Sequence, residues 1–555
     1  MIKNIKFKFG SSPTSTPLEL NLTPITIFVG PNNSGKSKIL SEIHGASTNP
    51  ENYIANVILE KIEFNSILDI DTEIEKLTLR KKDDVIYPAG TILYGKQGNI
   101  HTLDRQGLHS ILSKPHSHSR QFLSYYVALH TLTLGGASRI SLISTKDIGD
   151  LKDSPKNPLA ALFQNDTKRA EVRKIIHEAF KKYFVIDPTV SGKLNIRLSD
   201  IPPKSDNHER RLDDEAIAFF SNAKTIESAS DGVKAYTGII TSIVAGDPKS
   251  ILIDEPEAFL HPSLAFKLGK EVSKTAMDNS KNIFISTHSS NFLMGCIQSG
   301  VPVNIIRLTY TNEVPTARLL PSDKILKLMR HPLLRSTGVL NGLFYENVIV
   351  MEADSDRAFY QEINERLLTY DPDRGIPNCL FINAQNKQTI HEIMKPLREL
   401  GIPCAAIVDV DVIKEGGVVW GDLSKSAFIP EFTMKGHMDT RANINKKFIE
   451  KDKDFKKHGG VNVLDPDDKE SCNNLFDELD SYGIFTVRNG ELESWLKSLG
   501  ARKPKSPDWL IEIFELLGEE PSLENYIKPT KGDVWDFIGD IKKWFNNTKR
   551  KGIPD

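Results

Sequence analysis

The N-terminal run Met1-Ile2-Lys3-Asn4-Ile5-Lys6-Phe7-Lys8-Phe9 alternates lysine with apolar residues, as a half-buried strand does. A Ser/Thr/Pro stretch at 11–17 follows. The apolar run Ile25-Thr26-Ile27-Phe28-Val29 then ends on Gly30, and a helical segment carrying Ile39, Leu40 and Ile43 comes next. Strand, loop, strand, Gly-rich turn and helix form the opening of an α/β nucleotide site. Two further apolar runs, Ile251-Leu252-Ile253 and Asn282-Ile283-Phe284-Ile285, pass directly into polar residues, where open α/β sheets carry their chemistry. From about 50 to 225 the pattern is irregular and partly helical, with polar, Pro-containing breaks near 150–158 and 201–214, and reads as a long insertion. A second α/β unit begins after about 340. Its strands are Asn347–Met351 and Ala405–Val408, and Phe359, Ile363 and Leu367 share one helical face between them. The expected organisation is an α/β chain with a first unit at 1–50 and 215–340, an insertion at 51–214, and a second unit at 341–555.

Length and charge narrow the classes. A chain of 555 residues is too long for a single small binding module, and 39% hydrophobic with 26% charged residues is ordinary globular composition. A net charge of -2 gives no whole-chain attraction to nucleic acid, so any basic surface is local. Cys296, Cys379, Cys404 and Cys472 lie far apart, without zinc-site spacing and too few for a disulfide scaffold, which fits a reducing cytoplasm. No signal peptide or membrane-length apolar run is visible. Arg441–Glu470 mixes basic and acidic side chains and reads as solvated helix or loop.

Gly30-Pro31-Asn32-Asn33-Ser34-Gly35-Lys36-Ser37 fits G-x-x-x-x-G-K-[ST] between a strand and a helix. In such a loop backbone N–H groups wrap phosphates, Lys36 reaches the β and γ oxygens, and the Ser37 hydroxyl binds Mg²⁺. Ile251-Leu252-Ile253-Asp254-Glu255-Pro256 supplies the partner motif. There Asp254 holds the magnesium through water and Glu255 orients or deprotonates the attacking water. His288, in Ser286-Thr287-His288-Ser289, ends another strand where an imidazole can sense the γ-phosphate.

Together these motifs resemble an ABC-type ATPase head of the SMC and repair-ATPase branch. The resemblance implies ATP as ligand, a second subunit whose signature Ser-x-Gly caps the nucleotide, and hence a homodimer or higher even-numbered oligomer. Ser230-Asp231-Gly232 matches that signature; Ala229 stands where Leu is usual, and His261 near the usual D-loop aspartate.

Met351-Glu352-Ala353-Asp354-Ser355-Asp356-Arg357 follows a strand directly, and Val408-Asp409-Val410-Asp411 ends another, with Asp409 and Asp411 on one face by strand alternation. Converging carboxylates repel unless a divalent cation neutralises them, and hard oxygens suit Mg²⁺ or Mn²⁺ in phosphodiester chemistry. The alternative is an acidic strand-end loop facing water. The Glu, then Asp-x-Asp order resembles TOPRIM domains, with Ala353 where Gly is usual and Asn383-Ala384-Gln385-Asn386-Lys387 where many relatives carry a Gly-containing loop.

An ABC head with an insertion followed by a TOPRIM unit resembles the OLD (overcoming lysogenization defect) family, which includes the Gabija nuclease and some retron effectors. The resemblance implies an ATP-regulated, metal-dependent DNA endonuclease of anti-phage defence, cytoplasmic, with DNA as substrate. It also implies dimer contacts in the insertion, a regulatory protein or nucleic-acid partner, and no membrane. It places Glu352, Asp356, Asp409 and Asp411 as metal ligands, with Glu352 and Asp409 catalytic, and adds a downstream acid and a lysine. Glu491, Glu493 and Lys531 are the candidates. The competing reading is a nucleotide-switched DNA clamp whose TOPRIM unit is a non-hydrolytic scaffold; a primase or topoisomerase is a third. The C-terminal run Lys542–Lys551, with Trp544 and Phe545, is either a local DNA surface or an amphipathic last helix with its rings packed inward.

Overall fold

The computed structural model describes all residues except 50, 52–55, 82–86, 97–98, 117–118, 137–139, 279–280, 312, 333, 335–337, 503–507 and 555. The chain divides into two units, Met1–Leu326 and Lys327–Asp555.

In the first unit, strand β1 (Ile2–Phe7) pairs antiparallel with β2 (Glu19–Asn21) and β4 (Leu59–Phe64). Strand β3 (Ile25–Val29) belongs to a different, six-stranded sheet. Across that sheet lie β9 (Val314–Leu320), β8 (Val303–Thr311), β3, β7 (Asn282–Ser286), β6 (Ser250–Asp254) and β5 (Thr131–Leu134). All neighbours are parallel except the β8–β9 pair. Every residue of β3 is buried, as the unbroken apolar run requires of a central parallel strand covered on both faces. Helix α1 (Lys36–Thr48) starts directly behind β3 and buries Ile39, Leu40 and Ile43 in a core shared with Phe7, Phe28 and Phe122. Helix α2 (Asp231–Ala245) leads into β6, and α3 (Pro262–Asp278) and α4 (Ser290–Gln298) follow β6 and β7.

The stretch 51–214 is not an element apart from this unit. Its residues 59–64 complete the β1 sheet, and 131–134 form the edge of the nucleotide sheet beside β6. Strand β5 is only four residues long and its first three are partly exposed, so no apolar run marks it in the sequence.

The second unit is built on a four-stranded, all-parallel sheet in the order β11 (Cys379–Asn383), β10 (Asn347–Met351), β12 (Cys404–Asp409), β13 (Ile484–Val487). Helix α5 (Asp354–Tyr370) follows β10 and buries Phe359, Ile363 and Leu367. Helices α6 (Glu431–Lys451) and α7 (Pro466–Ser481) flank tight turns at 452–459. The last helix, α8 (Asp533–Asn546), buries Trp544 and Phe545, and the Trp544 indole N–H donates to the Ser481 carbonyl at 3.0 Å. Those rings are core; Lys542 and Lys543 stand on this amphipathic helix, while Lys549, Arg550 and Lys551 lie beyond its end. Among the described residues no helix is long and apolar enough to cross a membrane.

Candidate nucleotide and metal sites

Both clusters of interest lie beyond the carboxyl ends of parallel strands, where open α/β sheets bind ligands. In the first unit Gly30 leaves β3 at φ +145°, and a Cβ there would stand 2.1 Å from the Leu308 carbonyl oxygen, so only glycine turns the chain at this point. Ser34 and Lys36 are buried, while Asn32, Asn33 and Ser37 are exposed at the rim and Gly35 caps α1. The Lys36 ammonium donates to the Gly30 and Pro31 carbonyls at 2.9 and 2.5 Å. Burial lowers its pKa to about 8, against the raising charges of Glu255, Asp254 and Glu257. A buried ammonium beside exposed backbone N–H groups at a helix start is the charge pattern that phosphates complete.

Register sets Asp254 opposite Ser286. One Asp254 oxygen accepts from the Ser37 hydroxyl at 2.9 Å and from the Ser286 hydroxyl. Glu255 turns at φ +49°, and its carboxylate lies 3.5 Å from His288 Nε2. Burial, then the Lys36 charge, lowers the His288 pKa, leaving a neutral imidazole at pH 7. Glu257 is a further member that motif reading passed over. One of its oxygens accepts from the Thr287 hydroxyl at 2.8 Å and the His288 backbone N–H at 2.7 Å, and burial raises its pKa. It fixes the turn that carries His288, and its position, two residues past Glu255 on the same strand end, was the available signal. Ser230 is exposed at the start of α2, and Gly232 lies against the Phe259 carbonyl, which a Cβ would approach to 2.7 Å. Among the described residues no hydrogen bond ties either to the Gly30–Ser37 loop.

In the second unit the ends of the neighbouring strands β10 and β12 build one acidic cluster. Glu352 follows β10, Asp409 ends β12, and Asp411 lies in the 3₁₀ turn Val410–Lys414. One oxygen from each lies within 4.8 Å of the others. Strand alternation does not place Asp411, because β12 stops at Asp409; the tight turn carries its carboxylate back beside Asp409. Glu352 also accepts the Asp409 backbone N–H at 3.1 Å. Asp356, on the first turn of α5, accepts the Ala353 N–H at 3.0 Å. Ala353 itself has φ −138° and ψ 169°, extended backbone that any residue adopts, so alanine in place of glycine brings no strain here. Gln385 takes φ +72° in the loop where relatives carry glycine.

Burial and the Asp409 charge push Glu352 up to about 8; burial and Asp409 push Asp356 up to about 7. Asp409 is raised as well, burial being the largest cause. Asp411 is lowered despite its burial, because Lys387 bonds to it and Lys456 and Lys387 lend charge. Crowded carboxylates that resist ionisation, with hard oxygens close enough to share an ion, suit a divalent cation.

Two lysines enter this cluster that the sequence did not single out. Lys456 Nζ lies 2.7 Å from Asp409, 3.5 Å from Asp411 and 3.7 Å from Glu491. Lys387 Nζ lies 2.8 Å from Asp411 and 3.5 Å from Glu415. Lys456 comes from Arg441–Glu470, the stretch expected to be solvated throughout. Glu491, beyond β13, joins the cluster through Lys456, and burial, Glu493 and Asp409 shape its raised pKa. Glu493 acts on Asp356 and Glu491 by charge. Lys531 is exposed ahead of α8, and among the described residues no ion pair joins it to the acids.

Two family models match the stretches that carry the Gly30–Ser37 loop and the Glu352, Asp409 and Asp411 cluster. The model of the family described as AAA domain, putative AbiEii toxin, Type IV TA system, matches residues 25–294. The model of the overcoming lysogenization defect protein-like TOPRIM domain matches residues 343–411. No curated protein matches the chain. Among solved structures, an SMC head bound to the C-terminal winged-helix domain of ScpA shares 15% identity at TM-score 0.33, covering 59% of this chain and 99% of its own. The SMC head domain from Thermotoga maritima shares 14% at TM-score 0.30, covering 58% and 99%. An Smc head from Pyrococcus furiosus with an extended coiled coil, bound to the C-terminal domain of ScpA, shares 11% at 0.33, covering 59% and 98%. At these scores the likeness carries no weight of its own, and the two family matches carry the assignment. The chain is therefore an ATPase–TOPRIM fusion, an AAA-type ATPase domain at 25–294 followed by an overcoming lysogenization defect-like TOPRIM domain at 343–411, a pairing of ATPase and metal-dependent nuclease domains.

Proposed function

We propose that the chain is a DNA endonuclease of anti-phage defence whose cleavage is controlled by ATP bound between paired heads. The observation that carries the nuclease part is the convergence of Glu352, Asp409 and Asp411 oxygens within 4.8 Å at adjacent parallel strand ends. A divalent cation held there, Mg²⁺ or Mn²⁺, supplies positive charge that polarises a phosphodiester and acidifies water. The chain's own residues do the rest: Glu352 is fixed by the Asp409 N–H, and Asp356 by the Ala353 N–H, so the acids are positioned before substrate arrives. In the head, Lys36 and the loop N–H groups would bind phosphates, Ser37 and Asp254, joined by a hydrogen bond, are the residues that would hold a magnesium, and Glu255 beside His288 would orient or deprotonate water. Exposed Ser230 and half-buried Gly232, at the start of α2, would cap a nucleotide held by a second copy. Alanine at 353, where TOPRIM domains usually carry glycine, sits in extended backbone that any residue adopts, so it does not strain the turn that carries Glu352 and Asp356.

The test is incubation of supercoiled and linear DNA with the full chain and Mg²⁺ or Mn²⁺, with and without ATP, beside Asp409→Ala and Lys36→Ala. Metal-dependent cutting that disappears in Asp409→Ala, and changes with ATP in the wild type but not in Lys36→Ala, is the expected result. DNA binding without cleavage under every condition would return the chain to the clamp reading.

A further inference from the structure

The helix Asp508–Leu517 of the second unit is apolar on more faces than the core covers. Seven of its ten residues are apolar, and a helix so composed is ordinarily enclosed on all sides. Trp509, Ile513 and Leu517 are buried in the core beside α5, where Trp509 meets Phe359 with ring centroids 5.5 Å apart. Away from that contact the helix is open. Ile511 is 56% exposed, and with Leu510, Phe514 and Ala358 of α5 it forms a groove of about 350 Å³.

The charges along this groove have one sign. Glu515 and Glu519 line it and are exposed. From 508 to 527 the chain carries Asp508, Glu512, Glu515, Glu519, Glu520 and Glu524, and no lysine, arginine or histidine. Glu515 stands in the last helical turn and Glu519 just past it, the end where the helix dipole disfavours anions. The Arg366 guanidinium donates to the Leu517 and Gly518 carbonyls at 2.9 and 2.6 Å, but it is buried and already paired with Glu362 at 2.6 Å. Arg357, beside Ala358, is paired with Asp354 at 3.0 Å. Among the described residues no ion pair reaches Glu515, Glu519 or Glu520.

An open apolar groove edged by unpaired acids asks for apolar side chains to fill it and positive charge at its rim, and it repels nucleic-acid phosphates. Two copies of this face set against each other would oppose acid to acid. We propose that the groove docks a basic amphipathic helix of a partner protein, with the partner's apolar stripe on Leu510, Ile511 and Phe514 and its lysines or arginines on Glu515 and Glu519. None of Glu352, Asp409 and Asp411 lines the groove.

Fluorescence anisotropy on the full chain tests this. The probe is a labelled helical peptide of leucine and lysine, with leucine at i, i+3, i+4 and i+7; the controls are a scrambled peptide of the same composition and the same stripe with glutamate for lysine. The wild type should bind the lysine peptide, more weakly as salt is added, and neither control. Ile511→Ser, and Glu515→Lys combined with Glu519→Lys, should each weaken that binding by about tenfold or more. All three side chains are exposed, so the variants should fold, and thermal melting verifies it. Absence of binding, equal binding of either control, or binding unchanged in either folded variant overturns the proposal. Self-association of the wild type in sedimentation velocity that Ile511→Ser abolishes would assign the groove to a second copy and overturn it as well.

Discussion

The two sites are built on the same plan and lack opposite charges. Each lies past the carboxyl ends of parallel strands, and each gathers buried ionisable groups whose pKa values burial moves toward neutrality. In the head the displaced group is an ammonium, Lys36, lowered to about 8. In the TOPRIM unit the displaced groups are carboxylates, with Glu352 raised to about 8 and Asp356 to about 7. The first site is completed by phosphates, the second by cations. The same folding rule therefore produces two ligand specificities, and the sign of the buried charge decides which.

The largest expected effect comes from removing the central charge on each side. Asp409→Ala should reduce metal-dependent DNA cleavage by roughly a hundredfold to a thousandfold while leaving ATP binding unchanged. Lys36→Ala should weaken ATP binding by roughly thirtyfold or more, the cost of losing a buried charge partner, while Mn²⁺ binding at the acidic cluster stays as in the wild type. Fluorescent nucleotide titration and Mn²⁺ dialysis on both variants measure the two losses. Loss of both ligands in either variant would show that the sites are not separate in the sense the comparison requires.

The two sites were unequally legible in the sequence for the same physical reason. The head's loop is contiguous, so Gly30–Ser37 announces itself in eight residues, and Asp254, Glu255 and His288 follow apolar runs that end abruptly. Glu352, Asp409 and Asp411 share that strand-end signal. Lys456 and Lys387 do not, because nothing local sets them: one is positioned by Phe455 and Gly490 packing, the other by the turn after β11. A lysine inside a mixed-charge stretch looks solvated until tertiary contacts fix it. Glu257 was hidden differently, beside two acids with assigned roles, and β5 was too short and too exposed to register.

Gly490→Ala sharpens the comparison at the level of packing. Gly30, in the head's loop, lets the chain turn past the Leu308 carbonyl; Gly490 lets the Lys456 backbone pass close beside it. A Cβ there meets the Lys456 carbonyl at 2.1 Å at a φ of +134°, so the expected destabilisation is about 2–4 kcal/mol, read by denaturant melting. In the fraction that stays folded, Mn²⁺ affinity at the acidic cluster should change, because Lys456 is displaced from Asp409, Asp411 and Glu491. An alanine tolerated within about 0.5 kcal/mol would show that the turn at 452–459 is not held against Gly490.

The smallest effect is a pH dependence that separates the two charge patterns. Glu352 rises from 4.5 to about 8 and Asp356 from 3.8 to about 7. A raised carboxylate pKa means stability fully present below the unfolded value and lost as pH rises through the folded one. In EDTA, these two groups should therefore lower Tm between about pH 5 and pH 8.5. Asp411 has the opposite sign: its pKa is lowered from 3.8, so its contribution is already complete at pH 5 and does not vary across that window. A divalent cation favours the ionised acids and competes with their protons. The Tm gain on adding Mg²⁺ or Mn²⁺ should then be larger at pH 8.5 than at pH 6, by about 3 °C, taking roughly 1 kcal/mol as about 2–4 °C in a unit of this size. Asp409→Ala removes a carboxylate whose charge raises Glu352 and Asp356, and one of the metal's oxygens, so it should flatten the slope in EDTA and abolish the metal gain together. A gain independent of pH would mean that the cation binds away from these acids, and the contrast between a phosphate-seeking head and a cation-seeking TOPRIM unit would lose its second half.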